Sequence, residues 1–254
     1  MNKEKVSAYF ARIGLTMPEK IEPTVELMQQ LHYAHATHIP YENLDILRRK
    51  PLSLEPDDLY RKVVEEKRGG YCFELNGLFG WLLRELGYRV EDFAGRYLRG
   101  ESEIPMRRHR ILRVTCNDGS QWCCDVGIGD TCPRYPVKMV LDVDQHQCGE
   151  TYRFEHDDFL GWVLRDLHRG EWRDFYSFTE EPQLNQDFIA LSAYCEFHAD
   201  SPFRDVEIFS VKTDTGLVAL DGHTYKIVDN GKLTVKECTD AEMPWAYGQF
   251  GLPY

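Results

Sequence analysis

The chain has 254 residues, a hydrophobic fraction of 43% and a formal net charge of −12. That apolar content suffices for a sizeable core, in one domain with sublobes or in two. The acidic balance argues against a nucleic-acid or anionic-membrane surface but leaves room for a local basic pocket. No apolar run approaches a membrane span, and the start "MNKEKVSAYFARIGL" lacks the architecture of a cleavable signal, so the expected location is the cytoplasm.

The first stretch reads as mainly helical. "TVELMQQLHYAHATHIPYEN" carries apolar residues at mixed three and four spacing, and Pro40 closes it. In "SLEPDDLYRKVVEEKRGG", Ser53 and Asp57 are candidate caps for a short helix that Gly69-Gly70 would end. From Leu75 the stripe Leu75, Leu78, Phe79, Leu82, Leu83, Leu86 predicts an amphipathic helix stopped by Gly87. Between about 90 and 185 short alternating runs broken by turns predict a β-rich region, sandwich or barrel; "HRILRVTC", "NDGS" and "QWCCDVGIGD" read as strand, turn, strand. The remainder mixes a helix near "QDFIALSAYCEFH" with strands such as "RDVEIFSVKT" and "HTYKIVDNGKLTV".

Eight cysteines, at 72, 116, 123, 124, 132, 148, 195 and 238, do not form a disulfide pattern in so long a chain without a secretion signal. A zinc site lacks its usual C-x-x-C pairs, because Cys123 and Cys124 are adjacent and would point to opposite faces of a strand. His32, His35 and His38 drift round a helix surface and read as solvated histidines near its end rather than metal ligands. No metal is expected, and most of the thiols read as small buried hydrophobes.

Cys72 is the exception. In "RGGYCFELNGLF" the glycines Gly69 and Gly70 allow close backbone approach, and the cysteine then sits at a helix N-terminus, where unpaired N–H groups favour an anion. A nucleophilic thiolate needs a histidine and an acid, and the hairpin supplies His109 and Asp125. Taken singly, these two read as a strand-edge histidine and a turn carboxylate. They share a face only if the pairing indices sum to an even number. A two-residue Asp118-Gly119 turn gives an odd sum, so partnership requires a three- or five-residue loop or a bulge, with pairing of 111 to 125 placing Asp125 diagonal to His109. Such a set serves acyl transfer or hydrolysis, the latter as in thiol hydrolases of the papain or transglutaminase type, and spacing alone does not choose. A His-paired thiol is expected to ionise far below the ordinary ~8.5.

"HIPYENLDIL", "RGGYCFELNGLF", "HRILRV" and "DVGIGD" occur here in the order and rough spacing of the arylamine N-acetyltransferases, and the chain resembles that family clearly over about 5–140 and weakly as far as "YGQFGLPY". The resemblance implies an α+β fold with a cysteine-protease-like arrangement: a helical lobe over 1–92 carrying Cys72, a β-barrel lobe over 93–188 carrying His109 and Asp125, and a short α/β lobe over 189–254. It implies acetyl transfer from acetyl-CoA, as co-substrate, to arylamines or arylhydrazines through an acetyl-cysteine, with O-acetylation of N-hydroxyarylamines as a further activity. Expected at the substrate and CoA contacts are Tyr41, Phe73, Met106, Arg107, Gly127, Ile128 and Gly129. The chain departs from the family with Tyr41 where Phe is frequent and Ile128 where Phe is usual, which removes part of an aromatic wall. Arg107 and Arg108 read as candidates for CoA phosphates or as solvated loop charges. The chain stops soon after "QFGLPY", which predicts a more open CoA cleft. Arg68 is expected to pair with Glu42, tying the "YEN" turn to the cysteine's turn. Oligomeric state is not readable from the sequence.

Overall fold

The computed structural model describes residues 3–254. Its helical part opens with α1 (Lys3–Arg12) and α2 (Val25–His38), where Thr24 Oγ1 accepts the Leu27 N–H at 3.2 Å as an N-cap. After α2 the chain runs out extended through Pro40, then forms α3 (Leu44–Leu47) and α4 (Pro56–Tyr60), which continues as a turn of π-helix to Glu65. Pro56 starts α4, a position whose N–H needs no partner. Neither Ser53 nor Asp57 is its N-cap, and Gly69-Gly70 does not end it: Lys67, at φ 56°, makes that turn. The glycines answer a different demand. A Cβ on Gly69 would lie 2.0 Å from the Pro40 carbonyl oxygen, so only glycine lets the two segments run side by side. Next comes α5 (Cys72–Glu85), buried along nearly its whole length, with Gly87 beyond its end at φ 90°.

Eight strands follow in one antiparallel sheet: β1 (Arg89–Tyr97), β2 (His109–Thr115), β3 (Gln121–Cys124), β4 (Val137–Lys138), β5 (Gln145–Gln147), β6 (Glu150–Asp157), β7 (Gly161–His168) and β8 (Glu171–Phe178). Their spatial order is β4-β3-β2-β1-β8-β7-β6-β5, with every neighbouring pair antiparallel. The sheet nearly closes into a barrel, and glutamine amides bridge its seam. Gln145 Oε1 accepts the Lys138 N–H at 2.7 Å while its Nε2 donates to the Lys138 carbonyl at 2.9 Å. Gln147 does the same at Tyr135, at 2.7 and 3.0 Å. A primary amide carries the same donor and acceptor as a peptide group, so two side chains replace missing rungs of the ladder.

Period-two alternation splits β2 between two cores. Leu112 and Val114 pack against α5, whereas Ile111 joins Phe93, Phe154 and Phe178 inside the barrel. Cys124 and Cys123 divide in the same way. The remaining chain forms α6 (Asp187–Phe197), whose Phe188 meets the Phe73 ring at 5.8 Å, and a second antiparallel sheet. Its strands are β9 (Ile208–Lys212), β10 (Gly216–Asp221), β11 (Thr224–Asp229) and β12 (Lys232–Glu237), in the order β12-β11-β10-β9. A last helix, α7 (Met243–Gly248), covers one face of this sheet through Phe209, Leu220 and Tyr225. Tyr41 joins the parts: its N–H donates to the Ser210 carbonyl at 2.8 Å and its carbonyl accepts from Ser210 at 3.0 Å, while the Glu42 N–H donates to Gly70 at 2.9 Å. Among the described residues no helix is long and apolar enough to cross a membrane.

Candidate active site

Cys72 is the first residue of α5. Glu74 caps that helix by accepting the Tyr71 N–H at 3.1 Å and is itself held by Lys62 at 2.8 Å. Lys62 also binds Asp45 at 2.8 Å, and Arg68 pairs with Glu42 at 2.7 Å and with Asp45 at 3.3 Å. The Arg68–Glu42 pair read from the sequence therefore forms, and Glu42 is fully buried within it, its other oxygen taking the Leu44 N–H at 2.7 Å. The helix mouth that carries the sulfur is clamped from behind by three carboxylates interleaved with two cations.

The hairpin has the register that the His109–Asp125 partnership required. Leu112 pairs Cys124 and Thr115 pairs Gln121. The Cys116 N–H closes on the Ser120 carbonyl, leaving a three-residue loop, Asn117 to Gly119, with Gly119 at φ 81°. The index sum is even, and Asp125 lies just past the last rung, diagonal to His109. His109 Nε2 lies 2.6 Å from Asp125 Oδ2, a contact in which the ring nitrogen donates to the ionised carboxylate. Asp125 Oδ1 accepts from Asn76 Nδ2 at 2.8 Å and from the Gly127 N–H at 3.0 Å. Burial opposes ionisation of this carboxyl, but His109, Asn76 and Gly127 outweigh it and hold it below the ordinary carboxylate range. Asn76 lies one turn along α5 from Cys72 and also accepts the Val126 N–H at 2.8 Å, so one helix positions both the thiol and the acid.

Cys72 is almost fully buried, its sulfur 3.8 Å from the Arg108 carbonyl oxygen. Burial pushes this thiol up, and Cys195 and the Asp125 carboxylate push the same way, against the N–H groups of Phe73 and Arg110. For the sulfur taken alone the helix N–H groups do not offset desolvation; the low value expected from the sequence is that of a thiol paired with a charged histidine.

Cys72 and His109 line one cleft of about 370 Å³, together with Tyr41, Gly127, Ile128 and Gly129. A Cβ on Gly127 would sit 2.9 Å from Cys72 Cα, so glycine is what lets the end of the hairpin reach the helix mouth. Three expected contact residues fall elsewhere. Phe73 is fully buried against Tyr71 and Phe188, because its place on α5 turns its ring into the core. Met106 is surface-exposed, and Arg107 reaches toward Glu181 at 3.9 Å; neither lines the cleft. Arg108 does, in an ion pair with Glu101 at 2.7 Å. The far wall comes from the C-terminal sheet and the segment before it, including Phe203, Ser210, Asp221 and Lys226.

The sequence profile of an N-acetyltransferase family matches residues 24–252. An arylamine N-acetyltransferase of Mycobacterium tuberculosis is 37% identical over 222 residues, 85% of this chain and 77% of that protein. The chain belongs to the arylamine N-acetyltransferase family. A second relative, the arylamine N-acetyltransferase / N-hydroxyarylamine O-acetyltransferase of Salmonella typhimurium, is 35% identical over 198 residues, 78% of this chain and 69% of that one. Family members superpose closely in three dimensions. The Salmonella enzyme's structure matches with a TM-score of 0.91 at 30% identity, covering 98% of this chain and 92% of that one. The Mycobacterium marinum arylamine N-acetyltransferase in complex with CoA matches with a TM-score of 0.90 at 31% identity, over 97% and 92%.

Polar residues of α2 and α5 escaped the sequence reading of roles. Asn76 lay in a quoted motif, but its work shows only when the hairpin is docked on α5. His32 and His35, read as solvated, are both fully buried. His35 Nδ1 meets the Tyr9 hydroxyl at 2.7 Å, and His32 lies behind Asp125. Their three-residue spacing follows the buried stripe of α2 with Met28 and Leu31, a signal overridden by the polarity of histidine.

Proposed function

We propose that this chain transfers an acetyl group from acetyl-CoA to aromatic amines or hydrazines, with N-hydroxyarylamines as O-acetyl acceptors, in two half-reactions through an acetyl-Cys72 intermediate. The observation that carries this reading is the convergence in one cleft of a helix-mouth thiol and an imidazole whose other nitrogen is fixed, at 2.6 Å, on a saturated carboxylate. Family membership and the CoA bound by the M. marinum relative support it.

In the first half-reaction the Cys72 proton passes to His109 Nδ1, and Asp125 stabilises the resulting imidazolium without taking its proton. The sulfur adds to the thioester carbonyl, the oxyanion forms near N–H groups at the start of α5, and the carbon–sulfur bond to CoA breaks as His109 returns a proton to the departing thiolate. Thioester exchanged for thioester is nearly even in energy, so the acetyl-enzyme stays reactive. In the second half the neutral aromatic nitrogen attacks the same carbonyl, His109 takes its proton, and the Cys72 thiolate leaves. The apolar rings of Tyr41, Phe203 and Phe209 offer a flat acceptor a slot that limits competing water. Thiol hydrolysis would use the same three residues, but the family match favours transfer to an amine over transfer to water.

The test is release of CoA thiol from acetyl-CoA with and without an aniline. Stoichiometric release without amine, and turnover with it, are the expected results, both lost in Cys72→Ala. Turnover undiminished in Cys72→Ala, or release that ignores the amine, would overturn the reading.

A further inference from the structure

We infer that His32 is a positioning residue, which holds the main chain of Asp125 in place and through it sets the reactivity of Cys72; the inference rests on the functional reading above. Asp125 follows the last rung of the β2–β3 ladder, so its N–H has no strand partner. His32 Nε2 supplies the missing acceptor at 3.2 Å. For that nitrogen to accept, the proton must sit on Nδ1, and Nδ1 donates to the Arg134 carbonyl at 3.0 Å. Each end therefore fixes the tautomer that the other requires. The ring is fully buried, and the Phe79 ring meets it edge-on at 5.9 Å. The ionisable groups facing it are the Asp125 carboxylate and the neighbouring His35.

The consequence follows from geometry. Asp125 Oδ1 is fixed by Asn76 of α5 and by the Gly127 N–H, and Asn76 also takes the Val126 N–H, while His32 holds the nitrogen at which this stretch of backbone begins. Loss of the His32 bond frees that backbone, lengthens the carboxylate's contact with His109, and weakens the imidazolium on which thiolate formation depends.

Two amides separate the bonds. In His32→Gln, Oε1 reaches about where Nε2 stood and accepts the Asp125 N–H; in His32→Asn, Nδ2 stands near Nδ1 and keeps only Arg134. The readout is the iodoacetamide alkylation rate of Cys72 against pH, with labelling mapped by residue, together with the CoA-release rate and the melting temperature. His32→Gln should keep the wild-type alkylation profile, whereas His32→Asn should slow labelling near neutral pH about tenfold and lower the CoA-release rate with little change in KM. Equal profiles in the two amide variants, with melting temperature the sole change, would overturn the positioning role while leaving the transferase reading intact. A wild-type Cys72 that labels no faster than the other buried thiols would remove the nucleophile itself, and His32's role with it.

Discussion

The two walls of the cleft are built on opposite principles. On one side α5 and the β2–β3 hairpin bring buried polar groups together, each with its partners: Asp125 with three donors, Asn76 with three contacts, Glu42 with Arg68 and an N–H. On the other side the C-terminal sheet offers Ser210, whose buried hydroxyl has no hydrogen-bond partner among the described residues, and the exposed Asp221, 3.7 Å from Lys226. Beyond them lies β12, exposed along its whole length. A buried polar network tolerates no displaced member, because each lost bond leaves a desolvated group behind. A wall whose buried surface is largely apolar, with Phe209, Ala219 and Leu220, has fewer such bonds to lose. The proposed reacting groups sit on the hydrogen-bonded wall, and part of the cleft's shape comes from the apolar one.

The strongest test of this contrast is Asp125→Asn. The amide keeps Oδ1 for Asn76 and Gly127, so the chain should fold. Its Nδ2 then faces His109 Nε2, which must accept rather than donate, and the ring proton moves to Nδ1, where it blocks proton uptake from Cys72. Acetyl transfer should fall by about 10⁴-fold with circular dichroism unchanged. Normal turnover would place the acid elsewhere.

Arg68→Ala probes the ion network behind the helix mouth. It strands Glu42, which is fully buried, while Lys62 stays engaged with Asp45 and Glu74. A buried carboxylate without its partner costs about 3–5 kcal/mol, so urea unfolding should register a loss of that order, with a smaller change in turnover measured well below the new melting point. An unchanged urea midpoint would show the pair to be energetically idle.

These two cases mark what the sequence discloses. The stripe of α5, the strands of the hairpin and the index parity linking His109 to Asp125 are local patterns, and each is visible without a fold. The Arg68–Glu42 pair was legible because a charge beside the glycines of a helix mouth has to be either exposed or paired. His32 was not. A histidine on a helix reads as polar until another element, here Asp125 and the Arg134 carbonyl, covers it. Phe73, Met106 and Arg107 do not line the cleft for a related reason. Proximity in sequence to Cys72 or His109 says nothing about which way a helix or loop turns its side chains, and the far wall of the cleft comes from residues more than 120 positions after Cys72. The eventual closure of the barrel through Gln145 and Gln147 likewise has no local signature.

A milder probe is pH. Burial lowers His32 from 6.5 to about 4 and lowers His35 as well. In the unfolded chain both would take up protons near 6.5, so between that value and about 4 the unfolded state binds more protons than the folded one. Stability is intact above 6.5 and falls as the solution is acidified toward 4, by an amount on the order of 3 kcal/mol from His32. The depressed Asp125 carboxyl adds a loss at still lower pH, as it is protonated through its folded value. Urea midpoints measured from pH 7.5 to 4.5 should decline, and His32→Gln should flatten part of that slope. A flat wild-type curve would mean that neither ring is kept neutral.

The smallest expected effect belongs to the outer edge of the C-terminal sheet, away from the cleft. Leu233 on β12 is 59% exposed and packs in none of the cores. It pairs with Val228 across the ladder, and the strand's hydrogen bonds do not depend on its side chain. Leu233→Ser should therefore change stability by no more than about 0.5 kcal/mol and leave the CoA-release rate unmoved. Its flanking lysines, Lys232 and Lys236, already discourage edge-to-edge pairing of the exposed strand, so removing an apolar side chain should not alter solubility either. If this substitution instead slowed acetyl transfer as much as a change on the hairpin does, the sheet would have to act on the sulfur through Ser210 and Tyr41, the hydrogen-bonded pair joining it to the helical part. The two walls would then be a single mechanical unit, and the division of labour between them would fall.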